Sequence, residues 1–343
     1  MTALTNASQA LLRNRDLLQG RVGFIGLTGP GLLAELSFSE SPLVICEHAG
    51  TFARLQAADR CQPVFGYRAD CPGSLDTVVL FVPKAKAALT MQLALAASLL
   101  TRGGGLVVVG EKKEGIAGAV RQLQAIAPDA SKQDSARHCQ VWLAHPPQTG
   151  QPFVAEQWLS WHQAEVAGTD IPVADFPGIF SAGRLDEGTR RLLATLAEQP
   201  PRGAVLDFAC GSGVIGAWLQ TRYPDLGPVD GVDVQAQAID CARQTYARNS
   251  ASGELVASDG LPAELGYYRS IITNPPFHTG VRTDTSMTET FLRQVRAHLL
   301  PGGELRLVAN RFLPYVSLLE EGVGPVRILA EDGRFVVYQA RRA

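Results

Sequence analysis

Two stretches of this chain carry one pattern twice. From Asp76 to Gly110 an apolar strand ends at a proline, a helix follows, glycines turn the chain, and a second apolar strand closes the unit; Arg269 to Asn310 repeats the plan. In this alignment Leu80-Phe81-Val82-Pro83-Lys84 stands where Ile272-Thr273-Asn274-Pro275-Pro276 stands, and Gly104-Gly105 where Gly302-Gly303 stands. Extra length in the second copy falls around His278 to Arg282. Strands alternating with helices argue a parallel, doubly wound α/β sheet. A pattern that recurs across 343 residues argues two such domains made by duplication.

The elements fall in order. Ala7 to Arg15 reads as a helix, Arg21 to Leu27 as a strand, Thr28-Gly29-Pro30-Gly31 as a turn into a helix ending near Leu36, and Leu43 to Glu47 as a second strand. Leu75 to Val82, Leu106 to Gly110 and Gln140 to Ala144 are further strands, with a helix from Met91 to Leu100. Pro146 to Gly150 reads as a linker. The second half offers strands at Val205–Phe208, Gly231–Val234, Ile271–Asn274 and Leu305–Ala309, and a helix over Met287 to Leu299. The expected division is 1–145, a linker and lead-in at 146–175, and 176–343.

The chemistry gathers in the second half. Gly211 to Gly216 spells G-x-G-x-x-G after a strand, so the backbone can approach a ligand and the next helix presents free N–H groups. Asp207 ends that strand, where it can accept from a bound amino group or from loop amides. Asp233 ends the next strand, where carboxylates hold ribose hydroxyls, and Asp259 ends a further short apolar stretch, placed to accept from an adenine amino group. The fourth strand ends in Asn274-Pro275-Pro276-Phe277. Consecutive prolines stop a sheet ladder, because each lacks an N–H and has a fixed φ. The Asn274 amide oxygen and the Pro275 carbonyl can both accept from one planar NH2 group, with Phe277 flat against its ring.

Composition narrows the classes. Hydrophobic residues make up 46% and charged residues 19%, a globular balance. The net charge of −2 sets up no strong field for nucleic acid. Residues 1–150 carry 14 Lys and Arg against 11 Asp and Glu, the remainder 17 against 22, and every lysine lies at or before Lys132. The first half thus permits RNA contact without demanding it. Cys46, Cys61, Cys71, Cys139, Cys210 and Cys241 form no C-x-x-C pair and have no His-rich cluster beside them, which points to reduced thiols and no metal in a cytoplasmic protein. The start lacks a signal-peptide pattern, and Ala85 to Leu100 is too short and too polar to span a membrane.

Asp207-Phe208-Ala209-Cys210-Gly211-Ser212-Gly213 and Asn274-Pro275-Pro276-Phe277 resemble the class I S-adenosylmethionine-dependent methyltransferases. More closely, the chain resembles over its whole length the ribosomal small-subunit methyltransferase C family, which methylates N2 of a guanine in 16S rRNA. Ala7-Ser8 with Leu11-Leu12-Arg13, Asp134-Ser135-Ala136-Arg137, Pro177-Gly178-Ile179-Phe180-Ser181, Leu185-Asp186-Glu187-Gly188-Thr189, Gly302-Gly303-Glu304-Leu305-Arg306 and Ala309-Asn310-Arg311-Phe312-Leu313-Pro314-Tyr315 carry that resemblance. It implies two methyltransferase-like domains, the first degenerate and without cofactor; that first half, which carries all the lysines, is expected to recognise RNA.

The first-half loop Leu27 to Gly31 lacks the Asp and the Cys-Gly pattern, and Val82-Pro83-Lys84 has no Asn, although Glu47 sits where Asp233 sits. The resemblance further implies S-adenosylmethionine held by Asp207, Ala209, Gly211, Gly213, Asp233, Val234, Asp259, Gly260 and Asn274. It implies catalysis at Asn274, Pro275, Pro276 and Phe277. Substrate contacts are expected from Phe277, His278, Arg282, Lys84, Lys86, Lys112, Lys113 and Arg137. The segment Phe176 to Thr189 is expected to cover the donor. The expected partner is 16S rRNA in the small ribosomal subunit, met by a monomer.

Three other readings stay open on the residues alone. One is an amine methyltransferase acting on adenine N6 or a glutamine side chain. The second is an NAD-dependent oxidoreductase, which the glycine loop suggests but which leaves the Asn-Pro-Pro-Phe stretch unexplained. The third is an RNA-binding assembly module without catalysis.

Overall fold

Long apolar stretches bounded by glycine and proline build the same sheet twice. The computed structural model describes residues 4–147, 151–180, 183–275, 285–312 and 315–343. The chain divides into two compact units, Met1–Trp158 and Leu159–Ala343. In the first, helices α1 (Asn6–Arg13), α2 (Gly31–Ala34), α3 (Ala49–Ala58), α4 (Lys86–Leu99) and α5 (Ile116–Ile126) accompany strands β1 (Val22–Ile25), β2 (Leu43–Cys46), β3 (Gln62–Phe65), β4 (Leu75–Phe81), β5 (Leu100–Glu111), β6 (Ser131–Ala136) and β7 (Cys139–Ala144). The strands form one sheet in the order β3-β2-β1-β4-β5-β7-β6. The first five are parallel, while β7 runs antiparallel between β5 and β6.

The second unit opens with β8 (Ser160–Val166) and β9 (Thr169–Asp175), an antiparallel hairpin. Then follow α6 (Glu187–Glu198), β10 (Val205–Phe208), α7 (Val214–Arg222), β11 (Val229–Asp233), α8 (Ala236–Arg248), β12 (Leu255–Ala257), β13 (Tyr268–Thr273), α9 (Thr285–His298), β14 (Leu299–Asn310), α10 (Tyr315–Gly322), β15 (Val326–Glu331) and β16 (Phe335–Arg341). The sheet order, β12-β11-β10-β13-β14-β16-β15, is that of the first unit position for position. The central strands are buried on both faces: Leu206, Ile271, Ile272 and Leu305 are all fully enclosed. Burial of each such side chain contributes about 1.5–3 kcal/mol.

The stretch 146–175, expected as linker and lead-in, is divided between the units. Residues up to Trp158 cluster with the first, and the β8–β9 hairpin belongs to the second. Ala164, Val166, Ile171 and Val173 alternate inward along it and share a core with Leu192, Trp218 and Tyr246. Trp218 Nε1 donates to the Val166 carbonyl at 3.3 Å, and the Ala174 N–H donates to Thr245 Oγ1 at 2.9 Å. The period-2 signal was present in the sequence, but a short hairpin beside a Pro/Gly-rich stretch reads as its continuation.

Strand register corrects the internal alignment by one residue. Val22 pairs with Thr77 as Val205 pairs with Ser270, and Leu75 pairs with Leu100 as Tyr268 pairs with Leu299. Asn274 therefore corresponds to Phe81 and not to Val82, and Gly302-Gly303 corresponds to Gly103-Gly104. Likewise Ile25 pairs with Ile45 as Phe208 pairs with Val232, which puts Cys46, not Glu47, at the place of Asp233. Matching prolines misled the sequence alignment, because proline marks the end of a strand only to within a residue or so.

Candidate active site

The crevice of interest lies where β10, β11, β12 and β13 end. This carboxyl edge of a parallel sheet is the usual place for a ligand. After β10 the chain turns sharply: Ala209 has φ 57°, Gly211 φ 53° and Gly213 φ 75°. A left-handed alanine costs roughly 1–3 kcal/mol. It is held there because the Cys210 N–H donates to the Val232 carbonyl at 3.0 Å and the Gly213 N–H to the Cys210 carbonyl at 2.8 Å.

The three glycines do different things. A Cβ on Gly216 would lie 1.8 Å from Tyr246 Oη, and one on Gly213 would lie 3.0 Å from Ala242 Cα, so these two let α7 pack on α8. A Cβ on Gly211 would meet nothing within 4 Å. Gly211 thus serves the turn and leaves an open face. Among the described residues no side chain caps the start of α7, whose N-cap is Gly213.

Two carboxylates define the electrostatics. Asp233, half-buried, accepts from the Gly211 N–H and the Gln235 N–H, each at 2.9 Å, so it braces the glycine turn. Asp207 is completely enclosed, and neither of its oxygens has a partner at hydrogen-bond geometry. Burial, reinforced by the charge of Asp233, pushes its carboxyl well above the ordinary range, and the Gly216 N–H pulls more weakly the other way. A buried carboxyl beside the Asp233 carboxylate favours a cation or an amino group, and it opposes a pyrophosphate. The glycine turn therefore suits a cationic methyl donor better than a dinucleotide.

Asp259 lies just beyond β12, exposed, where it can still meet a ligand edge, and Val234 is half-buried beside Asp233. Gly260 has φ 93°, and its Cβ position is filled by the Gln294 amide, whose oxygen accepts from the Leu261 N–H at 3.3 Å. Asn274 follows the last residue of β13. Its Nδ2 donates to Asp186 Oδ2 at 2.9 Å and to Thr189 Oγ1 at 2.8 Å, which leaves Oδ1 as its remaining acceptor. Pro275 is buried beside it. Pro276, Phe277, His278 and Arg282 lie outside the described residues. The structure thus brings Asp207, the 209–213 turn, Asp233, Asp259 and Asn274 to one edge of one sheet.

Sequence reading missed the part of Asp186 and Thr189. The signal available was an Asp four residues before a run of helix formers, an ordinary N-cap pattern. Only folding shows that the cap of α6 meets the end of β13. Lys84, Lys86, Lys112, Lys113 and Arg137 are exposed on the first unit. Arg137 and His138 form the β6–β7 turn at φ 50° and 62°, and the Lys112 N–H donates to the His138 carbonyl at 2.8 Å. That bond places Lys112, Lys113 and Arg137 on neighbouring turns; Lys84 and Lys86 sit at the start of α4. Among the described residues no group of three or more His, Cys, Asp or Glu side chains is arranged to hold a metal, and no helix is long and apolar enough to cross a membrane.

A seven-stranded sheet of this order, with an acidic, glycine-turned crevice at its carboxyl edge, is the architecture of a methyltransferase domain. The profile described as "Methyltransferase small domain" matches residues 170–339, and "Methyltransferase small domain N-terminal" matches residues 8–162. The chain is 41% identical over 344 residues to the ribosomal RNA small subunit methyltransferase C of Hahella chejuensis, covering 100% of both chains. It is 41% identical over 336 residues to the protein of that name from Pseudomonas fluorescens, covering 98% of each. The solved structure of the T. thermophilus 16S rRNA N2 G1207 methyltransferase (RsmC) in complex with AdoMet and guanosine superposes with a TM-score of 0.85 at 25% identity, over 99% of this chain and 92% of that one. The chain belongs to the ribosomal RNA small subunit methyltransferase C family.

Proposed function

We propose that the chain transfers a methyl group from S-adenosylmethionine to the exocyclic N2 of a guanine in 16S rRNA, acting as a monomer on the assembled small ribosomal subunit in the cytoplasm. The observation that carries the reading is the Asn274 carboxamide. Its NH2 group is already engaged, so its oxygen is the atom left to accept from a substrate amine. The names borne by its relatives supply the identity of that amine.

S-adenosylmethionine, when bound, supplies the methyl group already activated as a sulfonium. The residues present fit it: the unpartnered, buried Asp207 awaits a positive or amino group, and Gly211 leaves open space over the turn. Asp207 and the Ala209–Gly213 backbone hold the amino acid part of the donor, Asp233 and Val234 the ribose, and Asp259 and Gly260 the adenine.

The chain's own contribution to the chemistry is orientation. Asn274 Oδ1 and the Pro275 carbonyl accept the two N–H groups of guanine N2, turn its lone pair outward and stabilise the positive charge that develops there. Neither needs to be a strong base, because the nitrogen becomes acidic as it gains a fourth bond, and its proton leaves to water. Pro276 stiffens the strand end, and Phe277 stacks on the extruded base. His278 and Arg282 contact the RNA, as do Lys84, Lys86, Lys112, Lys113 and Arg137 through phosphates.

Purified small subunits incubated with the protein and S-adenosylmethionine test the reading. N2-methylguanosine in the 16S rRNA, identified by mass spectrometry of its nucleosides, is expected. N6-methyladenosine, or no methylated nucleoside alongside RNA binding, would overturn it in favour of another amine methyltransferase or a non-catalytic module.

A further inference from the structure

We infer that Asp186 and Thr189 are positioning residues that decide which end of the Asn274 carboxamide faces the substrate; this deepens, and rests on, the role proposed above for Asn274. A carboxamide is nearly symmetrical in shape but opposite in hydrogen-bonding sense at its two ends. Turned one way, Asn274 accepts from an incoming amine. Turned the other way, it sets its own N–H groups against those of the substrate. Strand β13 alone does not choose between the two.

The choice is made by α6. Asp186 is its N-cap and accepts from the Thr189 N–H at 2.9 Å, so its carboxylate is fixed to the helix. That same oxygen accepts from Asn274 Nδ2 at 2.9 Å, and Thr189 Oγ1 accepts the second N–H at 2.8 Å while leaning on Asp186 at 3.4 Å. A carboxylate only accepts, so the flipped amide would place oxygen against oxygen in a half-buried spot. Gly188 keeps the space: a Cβ there would come within 3.0 Å of Asp186 Oδ2 and 3.5 Å of Asn274 Nδ2. The far end of α6 is tied to the same sheet. Buried Arg306, on β14, donates through Nη1 to the carbonyls of Thr195 at 3.1 Å and Gln199 at 2.8 Å. A helix held at both ends gives Asn274 a rigid partner.

Two variants separate positioning from folding. Asp186→Ser keeps a good N-cap but is too short to reach Asn274, and Thr189→Val keeps the shape while losing the hydroxyl. Each should lower kcat on small subunits by about tenfold or more, the scale expected when a reacting group is held slightly out of line. The affinity for S-adenosylmethionine and the KM for subunits should stay unchanged. Asp186→Asn retains an accepting oxygen and should keep most of the activity. In an Asn274→Ala background, Asp186→Ser should add nothing, since no amide is left to orient. Equal losses from Asp186→Ser with and without Asn274, or full kcat in both Asp186→Ser and Thr189→Val, would overturn the inference while Asn274→Ala alone still lowers turnover by about a hundredfold or more. Full activity of Asn274→Ala would instead overturn the role of Asn274 itself, and this inference with it.

Discussion

The two units share a sheet order and a strand register but differ in the side chains at their strand ends. At the four strand ends where the second unit carries Asp207, Asp233, Asp259 and Asn274, register puts Phe24, Cys46, Tyr67 and Phe81 in the first. Phe24 is fully enclosed and meets Phe38 edge-on with ring centroids 5.9 Å apart. Gln92 joins Glu47 at 2.6 Å and the buried Tyr67 at 3.2 Å, so side chains occupy the space beyond β2 and β3. The helix after the first glycine turn, α2, has four residues where α7 has nine. In the first copy side chains fill these strand ends; the second keeps a buried carboxylate without a hydrogen-bond partner and a left-handed alanine. Neither feature helps the second fold stand, and both suit a ligand, which is the pattern expected where stability has been given up for function.

The comparison breaks most sharply at Asn274. Asn274→Ala should cut turnover by about a hundredfold or more, the effect of losing one preorganised polar group, while titration shows intact donor binding. Phe81→Asn, at the matching place in the first unit, should alter neither quantity. Equal losses of donor affinity and turnover in Asn274→Ala would make it a donor ligand instead.

Next in size is Asp233. Asp233→Ala should weaken S-adenosylmethionine binding by roughly 1.5–3 kcal/mol, because the ribose loses a charged acceptor and the Gly211 N–H loses its brace. Calorimetry should find one donor per chain, and Cys46→Asp should not create a second site. A stoichiometry of two would erase the distinction between the units.

Asp207 sharpens the comparison through stability. Its folded pKa lies above its unfolded value, so its neutral form favours folding. That contribution is complete below about pH 4, the ordinary carboxylate value, and is lost as pH rises through the raised folded value. Asp207→Asn, neutral throughout, should therefore melt higher than the parent without ligand, by a margin that grows with pH above about pH 4. The same variant should bind the donor more weakly. A lower melting temperature at neutral pH would show that Asp207 is a structural residue.

The smallest effect concerns the first unit. Lys112→Glu with Lys113→Glu should leave donor affinity unchanged and flatten the salt dependence of RNA binding, by about one in log–log slope for each phosphate no longer neutralised. An unchanged slope with full activity would remove that pair from the RNA surface.

Asn274-Pro275, the glycine turn and the strand-end aspartates were legible because each is a local device: proline ends a ladder, glycine permits a left-handed turn, and an acid just past an apolar run lies at a strand end. Alternation of strands and helices sufficed for two doubly wound domains, since apolar strands and amphipathic helices have few other ways to bury their faces. Less was legible where partners lie far apart in the chain. The one-residue register between the copies depends on which backbone N–H meets which carbonyl across neighbouring strands. The division of labour among Gly211, Gly213 and Gly216 depends on Tyr246 and Ala242 from the next helix. The hold of Asp186 on Asn274 spans 88 positions in sequence. Periodicity and turn chemistry act over a few residues, so the sequence by itself determined the central strands of both sheets and, in the second unit, the side chains that end them. The orientation of the Asn274 amide and the isolation of Asp207 arise from contacts between separate elements, and only the tertiary structure decided them.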